Sequence, residues 1–275
     1  MTPDFKALLL KARHQVHTLL SGHNLSRLHG EGYDFAELRE YQIGDDIRKI
    51  NWTITAKLGK PYIKELHANR ELSVVVAAMM DGSVYVGDNN AKQRHMAQTA
   101  ALLGYAAQHS NDLFTGVAYT PDGTISTPPT KQLFDIEHFS QQLYTAPLLH
   151  TGIDLQASVN DLFRRLHKPS LVLILHDFLE PVDLSLLAQR HEVIALIVRH
   201  REEEFPKTMG EVLLEEPRTA QQQDTFFGKR SLARYTAAKE ANDAALTAHF
   251  SRYDIRYAKL FTDEEPVEKL IQLFR

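Results

Sequence analysis

The sequence predicts an α/β protein built on an open, mostly parallel sheet with helices on both faces. Three observations carry that expectation. Residues 72–80 (Leu-Ser-Val-Val-Val-Ala-Ala-Met-Met) and 171–175 (Leu-Val-Leu-Ile-Leu) are near-continuous apolar runs, the pattern of strands covered on both faces. Stretches with helical spacing of apolar residues separate these runs from weaker strand-like ones. Each apolar run is followed within two residues by an aspartate, Asp81 and Asp177. Alternating strands and helices of these lengths fit parallel strands joined by helical crossovers.

The elements follow in order. Residues 1–20 form an N-terminal helix, because Phe5, Leu8, Leu9, Ala12, Val16, Leu19 and Leu20 share one helical face. Residues 21–71 form an irregular, β-rich segment packed on the main domain. Gly30, Gly32, Gly44 and Gly59-Lys60-Pro61 punctuate it as turns between short extended pieces. The turn Gly44-Asp45-Asp46 is expected to cap a short helix over 47–52, since an Asp side chain accepts free first-turn amides.

The main domain spans 72–275. After its first strand come a helix over 91–109, a strand over 113–119, a turn at 121–123 and an edge strand over 124–127. Helices are expected over 132–144 and 154–167, then the strand 171–175, a helix over 182–190 and a strand over 193–198. Residues 211–214 read as a weak extra strand. A long helix over 229–252, a strand over 255–261 and a helix over 266–274, with Asp263 as its cap, complete the chain.

Composition narrows the function. The 275 residues are 43% hydrophobic and 24% charged, enough apolar material for a substantial core. A net charge of −4 creates no field that would gather nucleic acid or anionic lipid. Without cysteine there are no disulfides, thiolate metal sites or cysteine nucleophiles. No apolar run reaches membrane-spanning length, and residues 1–20 lack the long apolar core and cleavage site of a signal peptide. A cytoplasmic protein that binds no nucleic acid and has no membrane span is the expectation.

In open parallel sheets, ligands bind beyond the carboxyl ends of the strands, where strand order reverses. Asp81 and Asp177 both sit at that edge and come close together if their strands are neighbours. The plainer alternative is that each caps its own turn. The histidines make no zinc pattern: His14 and His17 lie three apart with His23 and His29 nearby, but no His-Glu-x-x-His occurs. The basic run at 164–168 reads as a solvated helix end. Ser83 stands where a phosphoryl-transfer aspartate motif needs its second aspartate, and Gly82-Ser83 lacks the frame of a hydrolase elbow. No phosphate-binding glycine loop follows a strand. The sequence therefore carries no catalytic residues, and no enzyme activity or cofactor is expected.

The stretch 30–52 (Gly-Glu-Gly-Tyr-Asp-Phe-Ala-Glu-Leu-Arg-Glu-Tyr-Gln-Ile-Gly-Asp-Asp-Ile-Arg-Lys-Ile-Asn-Trp) matches neither a helix stripe nor a strand alternation. Arg39, Arg48, Lys49 and Lys57 lie among Asp34, Glu37, Glu40, Asp45 and Asp46, so bidentate Arg–carboxylate pairing is expected. Such a network either clamps the segment to the sheet domain, with Tyr33, Phe35, Leu38, Tyr41 and Trp52 as apolar anchors, or forms a docking surface.

With Ala56-Lys57, Asp81-Gly82-Ser83, Arg190-His191-Glu192-Val193 and Leu260-Phe261-Thr262-Asp263, this stretch resembles the bacterial family called domain of unknown function fifty-eight, over about residues 20–274. Asp34, Glu37, Arg39, Asp45, Asp46, Arg48 and Trp52 are its structural signature. The resemblance implies a von Willebrand factor A-like fold. It also implies a non-catalytic adaptor or scaffold that acts with a MoxR-type AAA+ ATPase and a client protein.

Such folds often carry a metal-ion-dependent adhesion site, in which hydroxyls and carboxylates hold magnesium and leave one position for a partner's carboxylate. Here the match is partial. Asp81, Ser83 and Asp177 fit the ligand pattern, while Tyr85 and Ile153 stand where a serine and a threonine are usual and His176 precedes the last aspartate. The site is therefore degenerate: magnesium binding is lost, or retained only weakly. The proposed partner-contact face is Asp81, Ser83, Tyr85, Ile153 and Asp177. The alternatives are a magnesium-dependent hydrolase using Asp81 and Asp177, or a purely structural subunit.

Overall fold

The structure is a computed structural model that describes residues 2–21, 35–42, 45, 47, 50–66, 71–86 and 90–274, with the backbone alone at 21, 35–39 and 64–66. Helix α1 (Pro3–Ser21) buries Phe5, Leu9, Ala12, Val16 and Leu19, the stripe its spacing predicts. Strands β1 (Phe35–Glu40) and β2 (Tyr62–Leu66) form an antiparallel ribbon. Between them lies α2 (Trp52–Leu58).

The helix expected over 47–52 needs correction. Of that span, 48 and 49 lie outside the described residues, and the α-helix begins where the expected one ends. Asn51 caps it, its side chain accepting the Ile54 amide, and Gly59 closes it at φ 73°. The positive φ suits glycine, which has no Cβ to clash. Asn51 is the cap because its side-chain oxygen satisfies a first-turn amide at 3.3 Å, while at the other end the Thr55 carbonyl accepts the Gly59 amide.

The main sheet has the order β10-β7-β6-β3-β4-β5. Its parallel strands are β3 (Ser73–Met79), β4 (Leu113–Thr120), β6 (Leu171–His176), β7 (Glu192–Arg199) and β10 (Arg256–Phe261), with β5 (Gly123–Ser126) antiparallel at one edge. Every residue of β6 and nearly all of β3 are buried, as continuous apolar runs require. Successive side chains point to opposite faces. Val74, Val76 and Ala78 thus join one core with α1, α3 (Ala91–His109), α4 (Leu133–Thr145) and α9 (Pro266–Phe274). Val75, Ala77 and Met79 join the other with α5 (Leu155–Arg165), α6 (Ser185–Ala188) and α8 (Lys229–Arg252). The expected mixed α/β architecture is present.

Some local expectations differ. The helix expected over 182–190 is the single turn α6. Residues 211–214 belong to β8 (Gly210–Glu215), which pairs antiparallel with β9 (Gln222–Phe227) as a separate ribbon and does not join the main sheet. Most of this ribbon is exposed, so no buried face imposed an apolar alternation on β9. A single turn, α7 (Arg201–Glu204), follows β7. Asp263 binds Arg201 Nε through both oxygens at 2.9 and 3.0 Å.

Candidate functional site

Strand order reverses between β3 and β6, which are adjacent and parallel with Ala78 opposite Leu175. From there β4 and β5 run one way and β7 and β10 the other. Crevices of this kind, beyond the carboxyl ends at the reversal, are where such sheets bind ligands. Asp81 and Asp177 flank it, so the sequence placed both correctly.

Both carboxylates are buried, at 0% and 3% exposure. Asp81 Oδ1 accepts the Ser83 amide at 2.9 Å and caps the 3-10 turn Gly82–Tyr85. Asp177 Oδ1 accepts the Leu179 amide at 3.2 Å. The capping roles are therefore real, and each aspartate also has a cation. Arg218 Nε lies 2.8 Å from Asp81 Oδ2 in ion-pair contact, although that oxygen accepts no aligned hydrogen bond. Lys92 Nζ donates to Asp177 Oδ2 at 3.1 Å and to Glu203 Oε1 at 2.7 Å.

These contacts set the protonation of the site. Burial alone would raise the Asp177 carboxyl. The Lys92 charge, the neighbouring His176 and hydrogen bonds from Ser83 and Lys92 outweigh it and hold the group far below the usual carboxylate range. His176 is fully buried and pulled down by that burial. Its Nδ1 accepts the Phe178 amide at 3.0 Å, while Nε2 stands 3.6 Å from Asp177 Oδ1, too far for a hydrogen bond.

A second tier supports the first. Arg199, wholly buried at the end of β7, donates from Nε to the Asp177 carbonyl at 2.6 Å and from a terminal nitrogen to Asp243 Oδ1 at 3.0 Å. Phe178, next to Asp177, has φ 51°. Left-handed backbone at a bulky residue costs about 1–3 kcal/mol and persists where surroundings over-determine it. Here Arg199 and Asn242 both bind the Phe178 carbonyl, and its ring packs edge-on to His176 and Phe250.

Arg218 comes from the tip of the β8–β9 ribbon, which folds over the edge. Its two terminal nitrogens bind Glu180 at 3.2 Å each. The Pro217 carbonyl accepts the His150 amide at 2.7 Å. A Cβ on Gly82 would stand 2.0 Å from the Pro217 oxygen, so this close approach requires glycine.

Sequence reasoning missed Lys92, Glu203, Arg199 and Arg218. Lys92 is legible as a charge at the start of the helix expected over 91–109, Glu203 falls where no element is expected, and nothing local marks either as buried. The expected contact face also needs correction: Asp81 and Asp177 are too deeply buried to touch a partner. Ser83 and Tyr85 are half-buried, Tyr85 against the α1–α3 core, and Ile153 is half-buried against the α5 core.

The signature residues fare unevenly. Asp34, Asp46, Arg48, Tyr33 and Lys49 lie outside the described residues, and Phe35, Glu37, Leu38 and Arg39 are described in backbone only. Asp45 accepts the Gln42 amide at 2.8 Å. Trp52 is 65% exposed, so it is not an apolar anchor; α2 has no buried residue.

The magnesium ligands implied by the resemblance do not fit the ion. Magnesium demands near-octahedral oxygen ligation. Asp177 uses both oxygens on its own chain, and Asp81 faces a guanidinium. Among the described residues no three of His, Asp and Glu converge to hold a metal.

The chain belongs to the family described as protein of unknown function DUF58, which matches residues 37–245. It is 26% identical to uncharacterized proteins of Mycobacterium tuberculosis and Mycobacterium bovis over 219 residues, 77% of this chain and 69% of theirs. Among solved structures it is similar to the conserved hypothetical protein BatB from Bacteroides thetaiotaomicron, with 11% identity and a TM-score of 0.43 over 74% of this chain and 96% of that one. An aerotolerance-related membrane protein from Bacteroides fragilis gives 11% identity and a TM-score of 0.36, over 66% and 98%. Among the described residues no helix is long and apolar enough to cross a membrane.

Proposed function

We propose that this chain is a von Willebrand factor A-like, protein-binding adaptor of the cytoplasm that acts with a MoxR-type AAA+ ATPase and a client protein and catalyses no reaction itself. One observation carries the preference for binding over catalysis. Asp81 and Asp177, the two carboxylates a hydrolase would use at this edge, are buried and engaged by Arg218 and Lys92. Carboxylates held by resident cations in this way support the binding reading over the catalytic one. Around them the rim offers recognition chemistry: the partly exposed Arg218–Glu180 pair, Ile153, and the exposed Leu213 and Phe226 of the ribbon. Aromatic and arginine side chains are favoured in protein interfaces.

The test is direct titration of the purified chain with the purified MoxR-type ATPase of the same genome, in ATP and ADP. A saturable complex weakened at least tenfold by Ile153→Asp supports the adaptor; no complex in either nucleotide state sinks it. A parallel hydrolase screen with and without magnesium covers the other class. Turnover lost in Asp177→Asn would replace the adaptor with the hydrolase.

A further inference from the structure

We infer that Lys92 and Arg218 are built-in counter-cations of the carboxyl edge, standing where a divalent metal would otherwise compensate Asp81 and Asp177. The inference rests on the geometry of the edge and is independent of the adaptor reading.

Buried carboxylates need a compensating charge, because desolvating an isolated ion is prohibitive. Asp81 and Asp177 lie just beyond the ends of neighbouring strands, and each is within 3.1 Å of a side-chain cation. A divalent ion bound between these carboxylates and their cations would be repelled by the Lys92 ammonium and the Arg218 guanidinium. Each carboxylate already has the charge that a metal would supply, so the resident cations oppose a metal there.

The two cations differ. Lys92 is 1% exposed and shared between Asp177 and Glu203, so it is fixed in the core. Arg218 is 24% exposed, arrives on a largely exposed ribbon, and bridges buried Asp81 to surface Glu180. Burial works against its charge, but Asp81 and Glu180 more than restore it. Arg218 is the outer of the two cations, and its partner Asp81 is the carboxylate that depends on the ribbon staying closed.

Two measurements on the full chain test this. In calorimetric titration with magnesium chloride and with manganese chloride, the native chain gives no saturable heat. In urea unfolding, Arg218→Ala raises the unfolding constant at least tenfold, and adding Asp81→Asn in the same chain recovers most of that loss. Arg218→Lys keeps the charge and falls between. Should Arg218→Ala fail to fold, the double variant and Arg218→Lys carry the comparison, and a double variant no better folded than Arg218→Ala counts against the inference. Micromolar divalent binding by the native chain that disappears in Asp81→Asn overturns it. So do strictly additive effects of Arg218→Ala and Asp81→Asn, since the two groups would then not compensate each other.

Discussion

Lys92 Nζ sits 3.1 Å from Asp177 Oδ2 and 2.7 Å from Glu203 Oε1, with all three side chains at most 5% exposed. One ammonium therefore ties the start of α3 to the end of β6 and to the turn after β7. Removing one member of a buried ion pair costs about 3–5 kcal/mol, because the other charge is left uncompensated. Lys92→Met is expected to lose that much in urea unfolding. Lys92→Met with Asp177→Asn should recover a substantial part, whereas Asp177→Asn alone should be milder than Lys92→Met.

His95 gives a pH signature. Burial pulls its imidazole down to about 4, with Glu265 opposing and Lys11 reinforcing. An unfolded histidine titrates near 6.5. Between those values the unfolded chain holds a proton that the folded one does not, so stability rises with pH. The contribution is complete above about pH 6.5 and is lost as pH falls toward 4, amounting to a loss on the order of 3 kcal/mol. Stability measured from pH 7 to pH 4 should fall less steeply in His95→Leu than in the native chain. Parallel curves for the two would reject the buried neutral imidazole.

Gly82 gauges how firmly the ribbon tip is seated. A Cβ there would stand 2.0 Å from the Pro217 oxygen and 2.5 Å from its carbon, both backbone atoms that cannot swing aside. Gly82→Ala should cost about 1–3 kcal/mol, the range for overpacking. It should also lift the tip, so that trypsin cuts after Arg218 faster than in the native chain. Mass spectrometry of the first fragments reads this directly.

Trp52 is the sole tryptophan and is 65% exposed. Its emission should be that of a solvated indole and should be quenched readily by acrylamide in the folded state. Trp52→Ser should change stability by less than about 0.5 kcal/mol, as surface substitutions do. A blue-shifted, quencher-resistant emission would restore it as an anchor.

The sequence by itself determined the layered sheet. Residues 72–80 and 171–175 are apolar throughout, and a chain with such runs must cover them on both faces. It also placed Asp81 and Asp177 at one edge, because parallel strands end on the same side. Asp45, Asp46 and Asn51 all have cap chemistry, and only the folded backbone puts the Asn51 side chain on a first-turn amide. Only the tertiary structure decided what the two aspartates meet. Lys92 lies 85 positions from Asp177, and Arg218 arrives on a ribbon whose second strand, Gln222–Phe227, is too exposed to leave an apolar pattern. A charge looks the same in the sequence whether it is solvated or buried. Its partner is fixed by chain paths that meet only in the tertiary structure, where the ribbon tip lies over Gly82.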